Sequence, residues 1–140
     1  MRYEIDGRTG SSLAVVTTHG QGTLEGFRAF TADLVGRRLP SVTVPVLVDH
    51  RDLDLSTMQK PDVDAFRRYV ADLLSTIRRE PGAGTPRLAT LVARRLDFGI
   101  VRQWEIPLEG AVPIVHRTFL DPDAALAWLT ARGEETPADE

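Results

Sequence analysis

The stretch Pro45-Val46-Leu47-Val48-Asp49-His50-Arg51 constrains this chain more than any other. An aliphatic, β-branched run this short reads as a strand buried on both faces, the pattern of a central strand in a parallel or mixed sheet. It stops abruptly in three ionisable side chains, so the sequence places Asp49, His50 and Arg51 at the carboxyl end of that strand. Ligands of open α/β sheets lodge in the crevice beyond the carboxyl ends of the strands, and function is sought there first. Pro45 lacks a ladder donor and fits only as the first residue of such a strand or at a bulge. Pro86, before residues 88–93, and Pro113, before residues 114–115, repeat the device and mark two further strand starts.

The rest of the chain supplies partners for that strand. Tyr3-Glu4-Ile5 and residues 13–17 flank a run of turn residues and read as a β-hairpin, after which His19-Gly20-Gln21-Gly22 breaks the second strand. Thr23 is the expected cap of a helix whose apolar face is Leu24, Phe27, Phe30, Leu34 and Val35, ending near Leu39-Pro40. Residues 52–60 connect to a second helix opening at Pro61 or Asp62, with Val63, Phe66, Val70, Leu73, Leu74 and Ile77 as one stripe. Asp97 is the expected cap of a third helix carrying Phe98, Val101 and Trp104, which leads to a strand at 114–119. Asp121-Pro122-Asp123 opens a last helix with Ala125, Leu126, Trp128 and Leu129 inward and Gly133 as its C-cap. The order ββαβαβαβα predicts a single α/β domain over residues 1–133, with a mixed, mainly parallel five-stranded sheet and four helices. Residues 134–140, four acids without a base, are expected to be a disordered tail.

Composition narrows the function classes. At 140 residues the chain buries enough surface for a core without staples, and the absence of cysteine removes disulfides and thiolate chemistry. No apolar run reaches the length of a membrane span and the first residues carry no signal pattern, so a cytoplasmic protein is expected. Taking the four tail acids from the formal charge of −3 leaves +1 for the remainder, which favours neither a polyanion nor a polycation as partner. The arginine pairs 37–38, 67–68, 78–79 and 94–95 lack interleaved aromatic residues, and Asp64–Arg68 and Arg68–Asp72 have the i,i+4 spacing of a solvated helix face, so no nucleic-acid partner is expected.

The element order across residues 2–132, together with Leu47-Val48-Asp49-His50-Arg51, residues 98–105 and residues 123–129, resembles the SpoIIAA-like branch of the STAS fold, small bacterial domains related to anti-sigma-factor antagonists. The resemblance implies a regulatory binding module without catalysis. Anti-sigma antagonists carry a phosphorylatable serine in an Asp-Ser-x-Gly motif at the start of the helix after the middle strand. Here that region reads Asp54-Leu55-Ser56-Thr57-Met58, with leucine before Ser56 and no glycine after it, so a phospho-switch at Ser56 or Thr57 is the alternative reading.

Other chemistries fit the residues poorly. Asp49, His50 and Ser56 are close in sequence, yet neighbouring strand residues project to opposite sides and no Gly-x-Ser-x-Gly elbow exists. A small enzyme using His50 as base ranks third. His19, His50 and His116 show no ligand spacing, so no metal is expected. Gly20-Gln21-Gly22 resembles half of a phosphate-binding turn, but Gly26 falls one residue too far along for the dinucleotide fingerprint, and no cofactor is expected. The sequence therefore points to a binding surface of His19, Asp49, His50, Arg51, Ser56 and Thr57 at the carboxyl ends of the strands, for a protein partner or a small apolar or anionic ligand held at the next helix's amino end. Asp49 is expected to accept backbone hydrogen bonds and Arg51 to pair with a carboxylate or phosphate. A homodimer is left open.

Overall fold

The computed structural model describes residues 1–7, 12–41, 43–75, 84–108 and 114–131, without the side chains of residues 74 and 103–108. The elements are β1 (Arg2–Asp6), β2 (Ala14–Gln21), α1 (Leu24–Gly36), β3 (Val46–Asp54), a 3-10 turn (Leu55–Thr57), α2 (Lys60–Leu74), β4 (Arg87–Leu91), α3 (Arg95–Leu108), β5 (Val115–Phe119) and α4 (Pro122–Thr130). This is the order the sequence implies. The sheet runs β1-β2-β3-β4-β5, antiparallel between β1 and β2 and parallel thereafter, so β3 is the middle strand.

That sequential order decides where the helices go. Each crossover from β2 to β5 steps one strand in the same direction, and right-handed crossovers then put α1, α2 and α3 on one face. Phe27, Phe30 and Leu34 of α1, Val63, Phe66 and Val70 of α2, and Val101 of α3 pack there against Ala14, Val16, Val46 and Val48. Among the described residues no strand follows α4 in the sheet, so handedness does not bind it. It folds back over the other face, where Ala125 and Leu129 meet Leu47, Ala89 and Leu91.

Several local expectations hold for identifiable reasons. Thr23 caps α1 by accepting from Gly26 N at 3.0 Å, and Asp121 caps α4 by accepting from Asp123 N at 3.1 Å. Pro45 and Pro86 stand just before β3 and β4, each lending a carbonyl to the neighbouring strand, Pro45 to Ala14 N and Pro86 to Val115 N. Others are corrected. β2 continues through His19 and Gly20 to Gln21, because β3 extends alongside and gives it a partner. α1 ends at Gly36 and not near Leu39, since Arg38 turns into the left-handed region at φ 62°. Asp97 lies inside the first turn of α3, buried and gripped by Arg94, so it is not the cap. Leu126 is 37% exposed and not inward. On α2 the pairs formed by Asp64 are with Lys60 and Arg67. The tail at 134–140, Gly133, Ile77, Arg78, Arg79, Pro113 and the side chains of Leu74 and Trp104 lie outside the described residues.

The main departure concerns the middle strand itself. β3 does not end at Arg51 but runs three residues further to Asp54. Its register against β2 passes from Thr17↔Asp49 to His19↔Asp52, so His50 and Arg51 together oppose the single residue Thr18. This β-bulge shifts the inward parity. Val46, Val48 and His50 point at α1 and α2; beyond the bulge Leu53 and Leu55 do so, and Asp52 faces outward. Leu53→Ala is therefore expected to cost about 2–5 kcal/mol as a core truncation. Its neighbour Asp52→Ala should cost no more than about 1 kcal/mol, and urea denaturation of the two variants measures the difference.

Candidate functional site

The six residues singled out from the sequence divide between three environments. His50 goes into the core: it is 2% exposed, with the Phe27 and Phe30 rings at 5.3 and 5.9 Å between centroids. Its placement on an open rim is thus corrected: His50 continues the inward alternation of Val46 and Val48, and β3 runs on past it to Asp54. Its Nδ1 lies 2.7 Å from Thr18 Oγ1, and that oxygen is also 3.2 Å from the Asp49 carbonyl. A hydroxyl has one proton. The carbonyl can only accept, so the Thr18 hydroxyl donates to it and His50 Nδ1–H donates to Thr18. Burial, with a smaller repulsion from His116, lowers the His50 pKa to about 3 and keeps the ring neutral. His116, whose Nε2 lies 2.7 Å from Thr90 Oγ1, is lowered by the same desolvation to about 4.

Asp49 and Arg51 hold the bulge. The Asp49 carboxylate accepts from Arg51 N and Nε, both at 3.0 Å, and from Nη2 at 2.9 Å. A bulge leaves a backbone N–H outside the ladder, and Asp49 takes it, which is the backbone role expected of this residue. Burial alone would raise the Asp49 carboxyl, but the Arg51 bonds outweigh it and hold the pKa below the usual carboxylate range. The carboxylate that Arg51 was expected to find is this one, two residues away in the same strand.

His19 remains at the surface, on the sheet face opposite α1, and joins three strands. Its Nδ1 is 2.7 Å from Asp52 on β3 and its Nε2 is 3.2 Å from Glu4 on β1. Hydrogen bonds to Asp52 and then Glu4 raise its pKa. Nothing local marked this bridge, because Asp52 reaches His19 only through the shifted register.

Ser56 and Thr57 are the two residues that do lie exposed at the carboxyl edge. Asp54 accepts from Ser56 N at 2.9 Å and from Ser56 Oγ at 2.6 Å, and these bonds lower its pKa, with the Arg94 charge adding to them. Thr57 Oγ1 donates to Gly22 O at 2.8 Å, and Gly22 N donates to Asp54 O at 2.9 Å, tying the ends of β2 and β3 together. Gly22 is needed for this approach, since a Cβ there would meet Asp54 O and Met58 Cγ, both at 3.3 Å. Gly22 and Gly26 thus serve close packing, Gly26 against Met1, whereas Gly20 supplies a φ of 92°. At the amino end of α2, the Asp62 carboxylate accepts from Gln59 N at 3.2 Å, so the chain provides its own anion where a ligand anion was expected.

Two neighbours at the same edge were missed. Leu96, in the first turn of α3, is 64% exposed, and Leu120, directly after β5, is 39% exposed. Arg94 lies in the connection from β4 to α3, its guanidinium paired with Asp97 through two bonds of 3.0 Å. Among the described residues no group of three or more His, Asp or Glu side chains is arranged to hold a metal, and no helix is long and apolar enough to cross a membrane.

No protein-family model matches the sequence, and no curated protein is significantly similar to it. Among solved structures, the chain is similar to an uncharacterised protein of the DUF3478 family with a SpoIIAA-like fold from Shewanella loihica PV-4, at 20% identity and a TM-score of 0.48 over 91% of this chain and 92% of that one.

The three histidines couple to folding with opposite signs. His19 has a raised folded pKa, so its contribution is complete below its unfolded value of about 6.5 and is lost as pH rises through the folded value. His50 and His116 have lowered values, so the unfolded chain takes up protons below about pH 6.5 that the fold refuses, and stability falls toward the folded values of about 3 and about 4. Imidazole 15N shifts are expected to show His19 titrating above about 6.5 and the other two rings neutral at about pH 5. A His50 ring that protonates near its ordinary value would contradict the sealed placement.

Proposed function

We propose that this chain is a non-catalytic regulatory binding module that docks a protein partner on the carboxyl edge of its sheet, through Ser56, Thr57, Arg94, Leu96 and Leu120. One observation carries the reading: the apolar side chains most exposed among the described residues include Leu96 and Leu120, both at that edge, and the helix that bears Leu96 packs against the preformed polar turn. Apolar anchors rimmed by polar groups suit a protein surface better than a small anion. The anion-binding features expected here are already engaged, Arg51 by Asp49 and the α2 amino end by Asp62.

The absence of catalysis is supported by the state of the base. A general base needs basicity near neutral pH and reach to a substrate proton. His50 has neither, since its ring is sealed and its hydroxyl partner Thr18 is itself fully buried.

A second reading has its own support. Ser56 Oγ is exposed and donates to Asp54, so phosphorylation would remove that donor and set a dianion against the Asp54 carboxylate, opening the 3-10 turn. Thr57, whose hydroxyl is spent on Gly22, is the poorer acceptor of the two.

Cross-linking of the tagged full chain in its native host tests both readings. A specific partner is expected that is lost on Leu96→Asp, weakened at least about tenfold by Arg94→Glu and retained by Arg2→Ala on the far strand. A partner indifferent to Leu96 and Arg94 would refute the carboxyl-edge surface. Mass spectrometry of the native protein adds the switch question, with a phosphopeptide containing Ser56 supporting it and an unmodified peptide at full coverage removing it.

A further inference from the structure

On the sheet face opposite α1, His19 of β2 has Nδ1 2.7 Å from Asp52 of β3 and Nε2 3.2 Å from Glu4 of β1. An ionised carboxylate can only accept, so both contacts are hydrogen bonds only when both ring nitrogens carry a proton. The link from β1 to β3 is therefore complete in the imidazolium form alone. A neutral ring keeps one N–H and turns a lone pair toward the carboxylate at its other end.

The two arms of the link are unequal. Asp52 is the closer acceptor, and its hydrogen bond contributes most to holding His19 above its ordinary pKa, so the proton that remains on a neutral ring is the one on Nδ1. Deprotonation thus breaks the Glu4 arm.

The strands at the two ends are unequal as well. β3 is paired on both sides, by β2 and β4, whereas β1 is a five-residue edge paired only with β2 among the described residues. Its outward side chains, Arg2, Glu4 and Asp6, are exposed. On its inner side Tyr3 stacks on Phe30 at 6.0 Å, Ile5 joins the core cluster, and Met1 lodges beside Gly26 of α1. The arm that fails is the one on the less supported strand.

From this asymmetry we propose that His19 is a proton-operated clasp on the edge strand: the imidazolium ties β1 to β3 across β2, and loss of the Nε2 proton to solvent lets β1 open locally while β2 to β5 stay paired. The neighbouring charges do not duplicate the link. Arg2 lies opposite His19 on β1, but a pair between Arg2 and Glu4 would join β1 only to itself. On β3, Arg51 is held by Asp49, and Asp54 accepts from Ser56. The Met1 ammonium, near Gly20, is a second titratable group on β1, and variants at positions 19 and 4 separate its effect from that of His19. The clasp holds or fails irrespective of partner docking at the carboxyl edge.

NMR of the labelled full chain between about pH 6 and about pH 9, spanning the histidine range and above, tests the clasp. As His19 titrates, Nε2 should lose its proton and Nδ1 should keep one. With the same midpoint, hydrogen-exchange protection factors of the β1 amides should fall about two- to fivefold, the range expected for exposed ionic contacts, while those of β3 and β4 stay constant. Met1 and Met58 are the only methionines, so their methyl signals report separately: Met1 should gain mobility over the same range and the buried Met58 should not. His19→Gln should make β1 protection independent of pH. Glu4→Gln should do the same and keep β1 protected at high pH, because an amide accepts from the imidazolium and donates to the neutral ring. Loss of the Nδ1 proton first, β1 protection constant across the His19 titration, a loss that extends to Met58, or a pH dependence that survives either substitution would each overturn the clasp.

Discussion

One extra residue in the middle strand organises the rest of this molecule. Without the bulge at His50-Arg51 the alternation begun at Val46 would carry Asp52 and Asp54 into the core and expel Leu53. With it, Leu53 and Leu55 close the core under α1 and α2, and Asp52 swings out to meet His19. Asp49 and Arg51 lock the irregularity by taking its stray N–H and clamping carboxylate to guanidinium. The ionisable triplet that looks functional in the sequence is in this way mostly spent on building the strand. What remains for recognition is displaced a few residues onward, to the turn at Asp54–Thr57.

The buried polar residues form a layer with its own logic. Thr18, His50 and Thr90 are all buried beneath the helices. Each polar side chain costs free energy to desolvate unless it is paired, and the pairing is supplied by hydroxyls reading across strands: Thr18 to His50 and the Asp49 carbonyl, Thr90 to His116. Neutral imidazole is the form that fits, because among the described residues no carboxylate is in hydrogen-bonding reach of His50 to balance a charge. His19 is the converse case. It lies between two exposed carboxylates that favour its protonated form, and the same side chain bridges three strands.

The two faces of the sheet differ because of chain order. Three right-handed crossovers in one direction fill the first face with helices, and only the terminal α4 is left for the second. An unequal share of cover follows from topology rather than from any local sequence property. It leaves Arg2, Glu4 and Asp6 of β1 and the outer side of α4 facing solvent there.

The sequence by itself determined the element order, the parallel core of the sheet, the proline-marked starts of β3 and β4 and the caps at Thr23 and Asp121. These depend on periodicity and on residues within a few positions of one another. Tertiary structure alone decided that β3 and β2 continue past their apolar runs, that His50 is enclosed, that Asp97 is held by Arg94 inside its helix, and that Arg51 turns back on its own strand. A local reading places a polar residue at a strand end because polar side chains usually mark the surface. Whether such a residue faces water or a hydroxyl on the next strand is set by register, and register depends on pairing between segments far apart in the chain. One signal of it was present, in the step from Val46, Val48 and His50 to Leu53 and Leu55, where an even spacing is broken once and then resumes.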